Sequence, residues 1–223
     1  MEIMRLVVAG TVGAGKSTFI RTVSEIDVVD TDRRATDETA EIKHRTTVAM
    51  DFGRLNFGPN MALHIYGTPG QQRFDFMWDI LIRKAHAFIL LVAAHRPHEF
   101  RYARRILSYM NRRVQIPYII GITHMDCEGA WSSENIKLAL GFVDEKNQPP
   151  VIVLNADERD TVIQAIVALV QYYIQSTSAA LSCRLIKIAV ICCYRFGHLL
   201  SSSQLWQLQV LYPSFLFQKY FNF

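Results

Sequence analysis

Gly10-Thr11-Val12-Gly13-Ala14-Gly15-Lys16-Ser17 is the stretch that decides how this chain is read. It follows a short apolar run, Leu6-Val7-Val8-Ala9, and opens a helical stretch from Lys16 to Ser24. GxxxxGK[ST] between a strand and a helix is the spelling of a phosphate-binding loop. Gly10, Gly13 and Gly15, with Ala14 among them, let backbone N–H groups turn inward around phosphate oxygens, and the helix N-terminus adds its positive end. Lys16 brings a charge to the β- and γ-phosphates, and the Ser17 hydroxyl offers one position to Mg²⁺. Thr18 follows in the first helical turn and is grouped with the nucleotide-binding residues. The competing reading is a glycine turn without a ligand. The strand before it and the helix after it weigh against that.

Beyond this loop, short apolar runs alternate with helical patterns. Val48 to Phe57 and Met61 to Tyr66 flank the turn Gly58-Pro59-Asn60 and predict a hairpin. Phe88 to Ala93, Tyr118 to Thr123 and Val151 to Leu154 read as buried parallel strands. Helices are predicted over Phe74 to Lys84, His98 to Arg113, Ser133 to Leu140 and Asp160 to Gln175, with starts at Ser132-Ser133-Glu134 and Asp157-Glu158-Arg159-Asp160. Such alternation predicts an α/β fold, a mostly parallel sheet with helices on both faces.

Composition narrows the classes further. Half of the 223 residues are hydrophobic and a fifth charged, which excludes a disordered chain. No window reaches the roughly 18 uncharged apolar residues of a membrane-spanning helix. Met1 to Gly10 reads as a first strand rather than a signal peptide, so the cytoplasm is the expected compartment. All 20 carboxylates lie at or before Asp160, while Arg184, Lys187, Arg195 and Lys219 lie beyond position 175. The body is therefore neutral and the tail holds the whole +4 excess. Without a basic stripe in the body, no nucleic-acid partner is expected despite a pI near 8.9. Four cysteines without a CxxC, and seven histidines without an HExxH, suggest neither disulfides nor a zinc site.

Further motifs lie downstream in a fixed order. Thr46-Thr47-Val48 precedes the second strand, Gly67-Thr68-Pro69-Gly70-Gln71 follows the third, Thr123-His124-Met125-Asp126 ends the fifth, and Asn155-Ala156-Asp157 ends the sixth. Over about residues 1–175 the sequence resembles the Ras-like small GTPases. It is most similar to the branch holding Arf, the signal-recognition-particle receptor β subunit and the bacterial gliding-motility proteins, with their prokaryotic ATP/GTP-binding relatives. Thr47-Val48-Ala49-Met50-Asp51-Phe52-Gly53 and Phe74-Asp75-Phe76-Met77-Trp78 are particularly like the prokaryotic members.

The resemblance implies a P-loop NTPase domain (a G domain) with a six-stranded sheet whose second strand is antiparallel. It also implies roles. Thr47 joins Ser17 as a Mg²⁺ ligand and meets the γ-phosphate, with Thr46 the second choice. Gly70 donates its N–H to the γ-phosphate, and Gln71 orients the attacking water beside Lys16 and Thr47. Asp126 accepts from guanine N1 and N2, Ala156 offers its N–H to guanine O6, and Thr123, His124 and Asn155 complete the base side. Arg33, Arg34 and Arg45 are candidates for an arginine supplied in cis. Two positions depart from the pattern. Gly67 stands where an aspartate is usual, and Thr123-His124 replaces Asn-Lys, so guanine selectivity rests mainly on Asp126.

Residues 176–223 read differently, with no acid, many aromatics and weak periodicity. A membrane- or partner-binding extension, a helix folded back on the sheet, and an end without its own function all fit this composition. The expected function is a Mg²⁺-dependent GTP/GDP switch that hydrolyses GTP slowly. An effector or regulator would dock on its switch regions, and peripheral membrane contact would run through the tail. The alternatives are a binding module with negligible hydrolysis and an ATP-binding P-loop protein.

Overall fold

The computed structural model describes residues 2–29, 32–34, 45–47, 50–57, 60–71, 74, 76–143 and 148–176. The expected first-switch segment between residues 35 and 44, the turn at Gly58-Pro59 and the extension from residue 177 lie outside the described residues. Among the described residues there are eight strands: β1 (Glu2–Gly10), β2 (Asp32–Arg34), β3 (Arg45–Thr47), β4 (Asp51–Phe57), β5 (Met61–Gly67), β6 (Ala87–Ala93), β7 (Tyr118–Thr123) and β8 (Val151–Val153). The same residues hold five α-helices: α1 (Lys16–Val23), α2 (Phe76–Ile82), α3 (Phe100–Arg113), α4 (Ser133–Leu140) and α5 (Arg159–Ser176).

Six strands form one sheet in the order β4-β5-β1-β6-β7-β8, and β4 alone runs antiparallel. The period of two along β1 builds the layers. Met4, Leu6 and Val8 enter one core with Phe19 and Ile20 of α1 and Val162 and Ile166 of α5. Val7 and Ala9 enter the other with Trp78 of α2, Phe100 and Ile106 of α3 and Ile136 of α4. A strand covered on both faces has no polar side, and all seven residues of β6 are buried. Each fully buried large side chain, such as Phe88 or Leu90, contributes about 1.5–3 kcal/mol.

The helices follow from the same logic. In α3, Phe100, Ala103, Ile106, Leu107 and Met110 form one buried stripe, and Arg112 and Arg113 close the last turn where cations suit the helix dipole. Ser132 caps α4 by accepting from Asn135 N at 3.3 Å, and Gly141 ends it in the left-handed region. Several boundaries differ from the sequence reading, those of β4 and α2 among them. β4 begins at Asp51, with Met50 outside it, and α2 starts at Phe76 after a tighter turn at Phe74. The β2–β3 ladder, which pairs Asp32 with Thr47 and Arg34 with Arg45, was not expected. The five parallel strands all end at one edge of the sheet, where ligands of open α/β sheets bind.

Candidate functional site

At the end of β1 the chain turns through residues 11–15 and enters α1 at Lys16. Gly15 takes φ +90, and a Cβ there would come 3.1 Å from the Ala156 Cβ, so the turn needs glycine for both conformation and space. Lys16 is only 6% exposed, and its Nζ donates to Thr11 O at 2.6 Å. The first turn of α1 itself contains no acidic residue. Gly70 presses on the loop from above, where a Cβ would come 2.8 Å from Val12 N and 3.0 Å from Lys16 Nζ. Gly70 therefore packs directly against the loop backbone and the Lys16 ammonium, an approach that only glycine permits.

A buried carboxylate stands beside the phosphate loop on the strand paired with Gly67. Ser17 Oγ donates to Asp51 Oδ2 at 2.6 Å, and Asp51 is 1% exposed. Asp51 is the direct partner of Gly67 in the β4–β5 ladder. A Cβ on Gly67 would come 3.3 Å from the Asp51 Cβ and 2.8 Å from Ile20 Cδ1, so the two positions compete for one space. Asp51 was not singled out as a site residue from the sequence. A buried hydroxyl beside a buried carboxylate is a hard oxygen set of the kind Mg²⁺ takes. Among the described residues no group of three or more His, Cys, Asp or Glu could hold a metal by itself. That fits an ion completed by phosphate oxygens and water. Thr47 lies in β3 opposite Asp32, and its side chain is outside the described residues, as are those of Thr46, Arg33, Arg34 and Arg45.

The segment after β5 is held down at two points. Thr68 N donates to Val8 O at 2.9 Å, and the buried Trp78 indole donates to Pro69 O at 3.0 Å. Gln71, next to the phosphate loop in sequence order after Gly70, is 6% exposed. The aromatic run after it divides: Trp78 is core, whereas Phe76 is 59% exposed, with Ile80 of the next turn at 56%.

The base side forms where β7 and β8 end. Thr123 Oγ1 lies 3.2 Å from Ala14 O and 3.4 Å from Val92 O. His124 Nδ1 lies 2.9 Å from the same hydroxyl. His124 takes φ 58, unusual for a non-glycine residue, and its ring lies 4.8 Å from that of His95. Burial pushes the pKa of His124 down, helped by Arg96 and opposed by Asp126 and Asp157. Ala156 is buried, with Thr22 Oγ1 donating to its carbonyl at 2.7 Å, and Asn155 Oδ1 accepts from Asp157 N at 3.2 Å. Asp126 is exposed at the mouth of this loop, its carboxylate close enough to raise the pKa of both His95 and His124. Lys16, Ser17, Gly70, Gln71, Thr123, His124, Asp126 and Ala156 all stand at the C-terminal edge of the sheet.

The same architecture occurs in the Arl6 BBS3 small GTPase from Trypanosoma brucei, solved with a bound GppNp nucleotide analogue. That structure is matched with a TM-score of 0.58 at 17% identity, over 78% of this chain and 99% of the other. An uncharacterized protein of Methanocaldococcus jannaschii is 26% identical over 132 residues, which is 59% of this chain and 76% of the relative. Residues 26–176 match the family described as conserved hypothetical ATP binding proteins, a match that begins after the phosphate loop and ends with α5. A small-GTPase fold, a complete phosphate loop and that family match together make this a nucleotide-binding chain, and it belongs to the conserved hypothetical ATP binding protein family.

Proposed function

We propose that this chain is a guanine-nucleotide switch that uses Mg²⁺ and hydrolyses GTP slowly to GDP and phosphate. The observation that carries this reading is the pairing of Ser17 with Asp51 beside the phosphate loop, which gives back the carboxylate lost at Gly67. Bound Mg²⁺ would neutralise the charge that develops between the β- and γ-phosphates. Ser17 and Asp51 would hold it, with Thr47 added from β3. Lys16 meets the phosphates as a counter-charge that is already desolvated, where a cation acts most strongly. Gly70 offers its N–H to the γ-phosphate, and Gln71 orients water for in-line attack, since phosphoryl transfer depends on positioning more than on covalent chemistry. Asp126 would accept from the two guanine donors, which adenine lacks in that arrangement. Phe76 and Ile80, one turn apart on α2, offer an effector or regulator an apolar contact that moves with the Gln71 segment.

A second reading, ATP binding, is favoured by the family's description and by His124 standing where a lysine is usual. Competition separates the two. A fluorescent GDP analogue bound to the protein should be displaced at least tenfold better by GTP than by ATP. Asp126→Asn should weaken GTP and shift preference towards xanthosine triphosphate, whose C2 oxygen suits an amide donor. Equal displacement by ATP and GTP would overturn the guanine assignment and leave the ATP reading.

A further inference from the structure

The turn after β6 reaches the phosphate loop. Arg96 Nη1 donates to Val12 O at 3.1 Å, and Arg96 Nε donates to His95 Nε2 at 3.1 Å. The His95 ring in turn lies against His124, tilted by 47°. A trans peptide points its C=O and the following N–H in opposite directions. Fixing the Val12 carbonyl onto Arg96 therefore turns the Gly13 N–H away from Arg96. Two further carbonyls of the loop are anchored in the same way: Thr11 O by Lys16 Nζ, and Ala14 O by Thr123 Oγ1. Of the three anchors, Lys16 and Thr123 belong to recognised nucleotide motifs. Arg96 belongs to none.

We propose that Arg96, held in place by His95, is a positioning residue of the nucleotide site that presets the Gly13 N–H for phosphate and ties the phosphate loop to His124. This rests on the nucleotide-binding reading and holds for a guanine or an adenine nucleotide alike. The geometry asks for a neutral His95. Its Nε2 is the acceptor for Arg96, so protonation there removes the bond and sets a cation against the guanidinium. The groups facing this imidazole agree in direction. Burial, Arg96, His124 and His98 hold its pKa down, and Asp126 alone opposes them. Arginine can only donate, so the bond that protonation breaks is the one at His95 Nε2, and the acid-sensitive joint is His95.

Release of a fluorescent GDP analogue, repeated with the ADP analogue, tests this at pH 7.5 and 5.5. Wild type should release nucleotide several-fold faster at the lower pH. Arg96→Ala should speed release at least tenfold at pH 7.5, since a charge-assisted bond to the loop is lost. Arg96→Lys, which can reach Val12 O but cannot fork to His95, should fall between. His95→Phe keeps the ring but not the acceptor. It should release faster at pH 7.5 and lose most of the acid acceleration. Melting temperatures of the nucleotide-free variants report any general loss of fold. Release from Arg96→Ala within twofold of wild type, or a His95→Phe variant that keeps the wild-type pH response, overturns the proposal while nucleotide binding stands. A wild-type protein that holds neither analogue removes the nucleotide reading and this one with it.

Discussion

Asp51 and Gly67 stand opposite each other on paired strands and share one space, so a carboxylate placed on either would face Ser17. Their backbones are paired, and the volume behind Gly67 is filled by the Asp51 side chain. Gly67→Asp should therefore not improve the site. It would bury a second carboxylate against the first and push on Ile20, at a cost on the order of 3 kcal/mol. Asp51→Gly should fold but lose Mg²⁺-dependent nucleotide affinity. In the double variant Asp51→Gly/Gly67→Asp the carboxylate returns from the other strand. We expect it to recover at least about 1 kcal/mol relative to Gly67→Asp alone, a coupling typical of residues in contact. Urea unfolding and nucleotide titration with and without Mg²⁺ measure both terms. Additive effects would mean that the two positions do not share a role. The exchange was open to inference from the sequence. A hairpin turning about residue 59 pairs residues equidistant from it, which sets Asp51 opposite Gly67 as surely as Phe57 opposite Met61. The resemblance to small GTPases places the acid at position 67 and says nothing of the residue paired with it.

At the scale of elements, α2 is tied to the loop that it follows. The Trp78 indole reaches back to Pro69 O, and its ring packs 5.4 Å from Tyr109 of α3. Trp78→Phe keeps an aromatic in the core but leaves a carbonyl without its donor and some volume unfilled. Stability should fall by about 2 kcal/mol. Because the lost bond holds the segment carrying Gly70 and Gln71, single-turnover GTP hydrolysis should fall further than GTP affinity. Ser132→Ala, which removes the α4 cap, should cost about 1 kcal/mol and change neither. Equal losses of affinity and turnover in Trp78→Phe would make the tryptophan a packing residue only. The long elements were legible because their periodicity is long: β7 and α4 run as predicted, and α3 and α5 within a residue or two. β2 and β3 were not, since the three-residue stretches Asp-Arg-Arg and Arg-Thr-Thr carry no alternation. The phosphate loop was read from its spacing, and the roles of the later motifs from the resemblance to small GTPases. The residues that brace them, Asp51, Arg96 and His95, act across strands and loops, and spacing along the chain does not report such contacts.

At the scale of the whole molecule, four of the described histidines, spread over the sheet, share one electrostatic tendency. His64, His86, His95 and His124 all have their pKa lowered, in each case first by burial, and arginines press in the same direction. Arg5 lies beside both His64 and His86, Arg54 beside His64, and Arg96 beside His95 and His124. His86 also has a structural reason to stay neutral. Its Nδ1 accepts the Arg5 N–H at 3.0 Å, while its own N–H donates to Arg5 O at 2.9 Å, stitching the start of β6 to β1. The sign follows from linkage. In the unfolded chain these rings take protons near the ordinary histidine value of about 6.5, and in the folded chain only at lower pH. The unfolded state then binds more protons in that interval. The stabilisation is present above about pH 6.5 and is lost as pH falls towards the folded values. The midpoint of urea unfolding should be flat from pH 8 to 7 and drop steadily from 6.5 to 5. His86→Asn, whose side-chain oxygen can accept the Arg5 N–H without titrating, should make that drop shallower. An unchanged slope in His86→Asn would assign the acid sensitivity to the other three histidines. A midpoint that rises below pH 6.5 would contradict the burial of all four.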